Sequence, residues 1–143
     1  IVVYTDGGSR GNPGPAAIGI LFYNEKSQKI KEFSQYLGEA TNNEAEYQAA
    51  IFALQKFKAL FGKKLASQSE IELKSDSELL IFQMEGKYKV LDSKIQPLFL
   101  KLWNLKTDFK NVRFKAIPRE KNKEADRLVN EVLDSTAKTQ KLL

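Results

Sequence analysis

The order of hydrophobic patterns along this 143-residue chain predicts an α/β fold. Its centre is a mixed five-stranded sheet, three strands antiparallel and then two parallel, flanked by helices. Three observations predict it. Residues 1–5 form a continuous apolar, β-branched run, the pattern of a strand buried on both faces. Two more strand-like runs follow across short polar turns, as in an antiparallel meander. Strand and helix patterns then alternate, so the later strands return through helical crossovers and run parallel to the first.

Taken in order, Asp6 to Pro15 is dense in Gly, Asn and Pro and reads as a turn immediately after the first strand. Ala17 to Tyr23 and Ile30 to Leu37 read as the next two strands, joined by a polar turn at Asn24–Gln28. Thr41-Asn42-Asn43-Glu44 is a capping box, in which Thr41 caps the third backbone N–H and Glu44 reaches back. The helix it opens is expected to stop near Phe61, at Gly62. Ile71 to Ser75 alternates as a strand, and Ser77 to Met84 reads as a short helix. Ile95 to Leu105 forms a third helix, and Val112 to Ala116 alternates as the fifth strand. In the last helix Ala125, Leu128, Val129 and Val132 lie at i, i+3, i+4 and i+7, an apolar stripe facing the core. No linker or repeat interrupts the pattern, so residues 1–143 are expected to form a single domain.

Composition excludes several chemistries. The chain has no cysteine and no histidine, which removes disulfides, thiolate or imidazole zinc sites, and Ser-His-Asp triads. Hydrolysis here must rest on carboxylates, lysines, hydroxyls or an oxygen-bound metal. A formal net charge of +5 suits a polyanionic partner, although solubility alone explains it equally well. No stretch approaches the ~20 apolar residues of a membrane span. No signal peptide is visible and the chain lacks an initiator Met. The expectation is a cytoplasmic protein, with a longer native chain left open.

Asp6 follows the first strand and Asp76 the fourth, so parallel pairing of those strands would bring both to one sheet edge. Glu46 lies one turn into the first helix and Asp126 near the start of the last. Each alone has a local explanation: turn former, helix-dipole partner or solvated face. Together they differ, because two carboxylates ~4 Å apart repel by about 4 kcal/mol at an effective dielectric of ~20. Such a cluster calls for a cation, and oxygen ligands select Mg²⁺, Mn²⁺ or Ca²⁺. Two such ions ~3.5–4 Å apart form a clamp for in-line phosphodiester cleavage.

Four motifs carry a resemblance across nearly the whole chain. The segment from Tyr4 through Asp6-Gly7-Gly8 and Gly11-Asn12-Pro13-Gly14 to Pro15 resembles the opening signature of type 1 ribonuclease H. Thr41-Asn42-Asn43-Glu44-Ala45-Glu46 is similar to its first-helix motif, Lys74-Ser75-Asp76-Ser77 to its third, and Ile117 to Asp126 to its C-terminal motif. The resemblance implies a ribonuclease H-like fold and endonucleolytic cleavage of the RNA strand of RNA–DNA hybrids, leaving 5′-phosphate and 3′-hydroxyl ends. It implies that Asp6, Glu46, Asp76 and Asp126 are catalytic and bind two Mg²⁺ (or Mn²⁺) ions. Asn12, Asn42 and Asn43 would contact the hybrid's minor groove, where 2′-hydroxyls mark RNA. Thr41 would help hold a DNA phosphate at a helix N-terminus. Gly7 and Gly8 would let backbone amides approach the RNA. The Gly-rich turn lacks the endings of a P-loop or a dinucleotide site.

The chain departs from the family twice. Ala116-Ile117-Pro118 stands where many relatives carry a His, leaving Arg119 as the candidate to serve the phosphate or a departing product, or as a solvated loop residue. Glu85 to Lys94 is too short and too mixed in charge for the basic protrusion of some bacterial members, as in compact archaeal-type ones. The expected partner is an RNA–DNA hybrid, with the protein a monomer. A non-catalytic duplex binder, or a nuclease acting on double-stranded RNA or branched DNA, remains as an alternative.

Overall fold

The computed structural model describes every residue, Ile1–Leu143. The elements are β1 (Val2–Ser9), β2 (Gly14–Tyr23), β3 (Lys29–Ala40), α1 (Asn42–Gln68), β4 (Glu70–Ser75), α2 (Glu78–Met84), α3 (Gln96–Lys106), β5 (Asn111–Ala116) and α4 (Lys123–Leu142). A single 3-10 turn, Arg119–Lys121, precedes α4. One sheet holds all five strands in the order β3-β2-β1-β4-β5. β1 pairs antiparallel with β2, and β2 with β3. β1 pairs parallel with β4, and β4 with β5. This is the expected mixed sheet. No helix lies between Met84 and Gln96, so the basic protrusion is absent.

The main differences from the sequence reading lie at the β1–β2 turn and at the end of α1, while β3 also runs longer, Lys29–Ala40. β1 continues to Ser9 and β2 begins at Gly14, so Asp6 lies inside a strand rather than in a turn after it. Full pairing of Asp6 with Gly19 and Gly7 with Ile18 overrides the low strand propensity of the glycines. The first helix also does not end at Gly62. Gly62 adopts φ 86°, ψ 159°, a break after which helix resumes to Gln68. Beyond it, Ala66 is fully buried in the main core, and that burial recovers the second segment.

The face of the sheet bearing Val3, Ile18, Ile20 and Phe22 packs on Tyr47, Leu54 and Phe57 of α1. Ala45, Ala49, Ala50 and Ala53 are buried to completion, a small-residue face that lets α1 lie close to the strands. α4 covers the opposite face through Ala125, Leu128, Val129 and Leu133, against Ala17 and Leu21 of β2. Burying each large side chain contributes about 1.5–3 kcal/mol. β1 is thus sandwiched between two helices, and a residue at its far end meets the starts of both.

The start of α1 is fixed by the capping box. Thr41 Oγ1 accepts from Glu44 N at 3.2 Å and Glu44 Oε1 accepts from Thr41 N at 3.0 Å. Thr41→Ala is expected to cost ~1 kcal/mol, read as a lowered urea midpoint at unchanged slope.

Candidate metal centre

The sheet and two helix starts converge on one group of acids. Asp6 lies within β1, paired with Gly19 of β2 two residues beyond the last pairing with β4 at Tyr4, and only 8% of it is exposed. Asp76 follows the last residue of β4 directly. Glu46 lies in the early part of α1, whose backbone crosses β1 at very short range. An added Cβ on Gly7 would sit 2.2 Å from the Ala45 carbonyl oxygen and 2.5 Å from Glu46 N. Only glycine permits this approach, so Gly7 brings Glu46 beside Asp6. Oxygen atoms of Asp6, Glu46 and Asp76 lie within 4.8 Å of one another.

Asp126, in the first turn of α4, stands outside that trio but lines the same cleft, of about 340 Å³. Gly7, Gly8, Asn42 and Arg119 also line it. Asn12, Thr41 and Asn43 do not. Asn12 Oδ1 accepts from Asn42 N at 3.0 Å, and Asn42 Oδ1 accepts from Ser9 N at 2.9 Å. These two bonds tie the β1–β2 turn to the helix start and leave both carboxamide NH₂ groups without a protein acceptor. Asn43 is exposed on the first turn of α1.

The electrostatics are those of crowded, partly buried carboxyls. Burial first, then the charges of Asp76, Asp126 and Glu46, lift Asp6 from 3.8 to about 8, against a backbone hydrogen bond from Gly7. Burial lifts Glu46 from 4.5 to about 7, with Asp76 adding to it and the Ser77 hydroxyl and Arg119 opposing. Asp76 is also raised by burial and by Asp126, opposed by Asn122 and Arg119. The donor set is therefore all hard oxygen and short of positive charge, which fits a divalent cation.

Several residues at the site carry no obvious mark in the sequence. Asn122 is 1% exposed, and its Nδ2 donates to Thr5 O at 2.9 Å and to Asp76 Oδ2 at 3.5 Å. It thereby anchors the start of α4 to β1 and steadies Asp76. The signal available was its place four residues before Asp126 in the C-terminal motif. Arg10 also lines the cleft, held by Asp134 at 2.6 Å and by Asn130 at 3.4 Å.

Comparison with known proteins agrees with this fold. Residues 4–132 match the family model described as reverse transcriptase-like. The chain is 47% identical to LC11-RNase H1, isolated from compost by a metagenomic approach and solved in complex with an RNA/DNA hybrid. The match has a TM-score of 0.90 and covers 95% of this chain and 98% of that one. The chain belongs to the type 1 ribonuclease H family. Another member, RNase H1 of the halophilic archaeon Halobacterium salinarum, is 36% identical with a TM-score of 0.87, over 94% of this chain and 97% of that one. A third relative is the bifunctional protein Rv2228c of Mycobacterium tuberculosis, 36% identical over 97% of the chain. This ribonuclease H chain spans only 37% of that relative's length, and 63% of the curated Halobacterium ribonuclease HI.

Proposed function

We propose that this protein is an endoribonuclease that hydrolyses the RNA strand of RNA–DNA hybrids, leaving 5′-phosphate and 3′-hydroxyl ends. The observation that carries this is the trio Asp6, Glu46 and Asp76 within 4.8 Å, in a cleft completed by Asp126. These four would hold two Mg²⁺ or Mn²⁺ ions. Bound there, the ions supply activation of the attacking water and stabilisation of the leaving oxygen. The hybrid bound to LC11-RNase H1 supports the substrate class.

The protein's own groups then divide the remaining work. The free carboxamide donors of Asn12 and Asn42, with Asn43 beside them, meet minor-groove acceptors and 2′-hydroxyls of the hybrid. Thr41 and the N-terminus of α1 hold a phosphate of the DNA strand. Gly8 leaves the strand backbone open beside the substrate, whereas the space beside Gly7 is taken by α1. Arg119 lines the cleft, where its guanidinium stabilises phosphate charge on a bound or departing strand. All four carboxylates come from one chain, which supports catalysis by a monomer with residues 1–143 as one catalytic domain.

The test is a cleavage assay on duplexes labelled on either strand, with Mg²⁺ or Mn²⁺. The RNA strand of the hybrid is expected to be cut, the DNA strand and double-stranded RNA left intact, and EDTA to stop the reaction. Hybrid binding without turnover in either metal would make the protein a binder. Preferential cutting of double-stranded RNA would reassign the substrate.

A further inference from the structure

A second cavity, of about 360 Å³, shares no lining residue with the acidic cleft. It lies on the sheet face opposite α1. Strand alternation puts Val2 and Tyr4 on this face, and pairing sets Tyr4 beside Leu21 and Lys74, with Val2 beside Tyr23. α4 begins only at Lys123, so this corner of the sheet stays open below the segment that precedes the helix. That segment serves both hollows. Arg119 and Asp126 line the acidic cleft, while every residue from Glu120 to Ala125 lines the cavity.

The lining has two halves. Val2, Tyr4, Leu21 and Tyr23 make an apolar, aromatic floor, with the two tyrosine rings edge-to-face at 5.5 Å. Lys74, Lys121 and Lys123 supply ammonium groups, against Glu120 and Glu124. Lys74 Nζ is held 5.2 Å from the centre of the Tyr4 ring and 3.5 Å from Glu72. Lys121 and Lys123 have no ion-pair partner, and Glu124 lies 4.0 Å from Lys29 outside the cavity lining. The balance of charge is therefore positive here and negative in the cleft, where four carboxylates face Arg10 and Arg119.

From this lining we infer that the cavity is a second binding site, for a nucleoside 5′-phosphate. A flat base covers the tyrosine and aliphatic floor, which a bare phosphate leaves open to water. The phosphate meets the lysines, which a neutral apolar ligand leaves without a counter-charge. The volume lies within the range of small-molecule pockets, ~300–1,000 Å³. The same chemistry is offered by a free mononucleotide and by the 5′-phosphate end of a short RNA.

The experiment is an amide ¹H–¹⁵N NMR titration in EDTA, where the uncompensated acidic cleft repels phosphate. AMP is the probe, with adenosine and inorganic phosphate as comparators. Saturable shifts are expected at residues 21–27 and 120–125, with each comparator binding about tenfold more weakly or worse. Lys121→Glu with Lys123→Glu, both at exposed positions, is expected to weaken AMP by about tenfold or more while leaving the other resonances in place. A 5′-phosphorylated dinucleotide that binds at least as well as AMP assigns the site to strand ends, and its exclusion assigns it to free mononucleotides. Absence of saturable shifts, shifts confined to the acidic cleft, or AMP binding untouched by the charge reversal would overturn the inference.

Discussion

Asp6→Asn is expected to lower RNA-strand cleavage by roughly 10³-fold or more while making the metal-free protein more stable. Both effects come from one cause. Asp6 is the most buried of the four acids and the one on which the other three charges act. The folded protein holds a proton there up to about 8, far above the ordinary 3.8. Because the folded value is raised, the stability it contributes is fully present below about pH 4 and is lost as pH rises through about 8. Glu46, raised to about 7, adds a loss in the same direction. At about pH 9 in EDTA the wild-type site carries buried, mutually repelling anions, and the neutral amide removes the central one. An effect of ~2 kcal/mol, well under the full displacement at about 1.4 kcal/mol per pH unit, raises Tm by roughly 4–8 °C. The difference should vanish near pH 4, where both side chains are neutral. Saturating Mg²⁺ should reverse it, since only the wild type gains the full binding free energy. A variant less stable than wild type at high pH in EDTA would mean that Asp6 is chiefly structural.

What the sequence disclosed of this site follows from how locally each part is determined. Glu46, Asp76 and Asp126 are positioned by a cap, a strand end and a helix start, all written in a few adjacent residues. Parallel pairing of β1 with β4 followed from the crossover between them, and it brings Asp76 to Asp6. Asp6 itself was read as a turn residue, because the glycines after it carry no strand signal and their pairing with β2 is a tertiary effect. The continuation of α1 past Gly62 was hidden for the same reason, since burial of Ala66 outweighs a local break. Asn122 could not be read as an anchor because its partner, Thr5, is 117 residues away. The apolar floor of the second cavity was likewise spread over Val2, Tyr4, Leu21 and Tyr23, which read individually as ordinary strand residues.

Gly7→Ala is expected to be the most disruptive single-methyl change in the protein, at ~3 kcal/mol or more. The atoms in its way are backbone: Ala45 O at 2.2 Å, Ala45 C at 2.3 Å and Glu46 N at 2.5 Å. No rotamer change relieves them, so either β1 bends away or the first turn of α1 shifts. Each movement separates Asp6 from Glu46, and activity should fall along with stability. Gly8→Ala is the control, because its added methyl meets only Val129 Cγ1 at 3.4 Å, an ordinary contact. It should cost under ~1 kcal/mol by urea denaturation. The pair also separates two reasons for a glycine in this part of β1. If the glycines serve substrate approach alone, Gly7→Ala and Gly8→Ala should be equally stable and differ from wild type only in hybrid affinity. If Gly7 sets the spacing of the carboxylates, it alone should lower the urea midpoint. In whatever fraction remains folded, it should also weaken Mn²⁺ binding measured without nucleic acid. That second readout ties the helix–strand approach to the metal site, because a glycine needed only for folding would leave the metal affinity of the folded fraction unchanged.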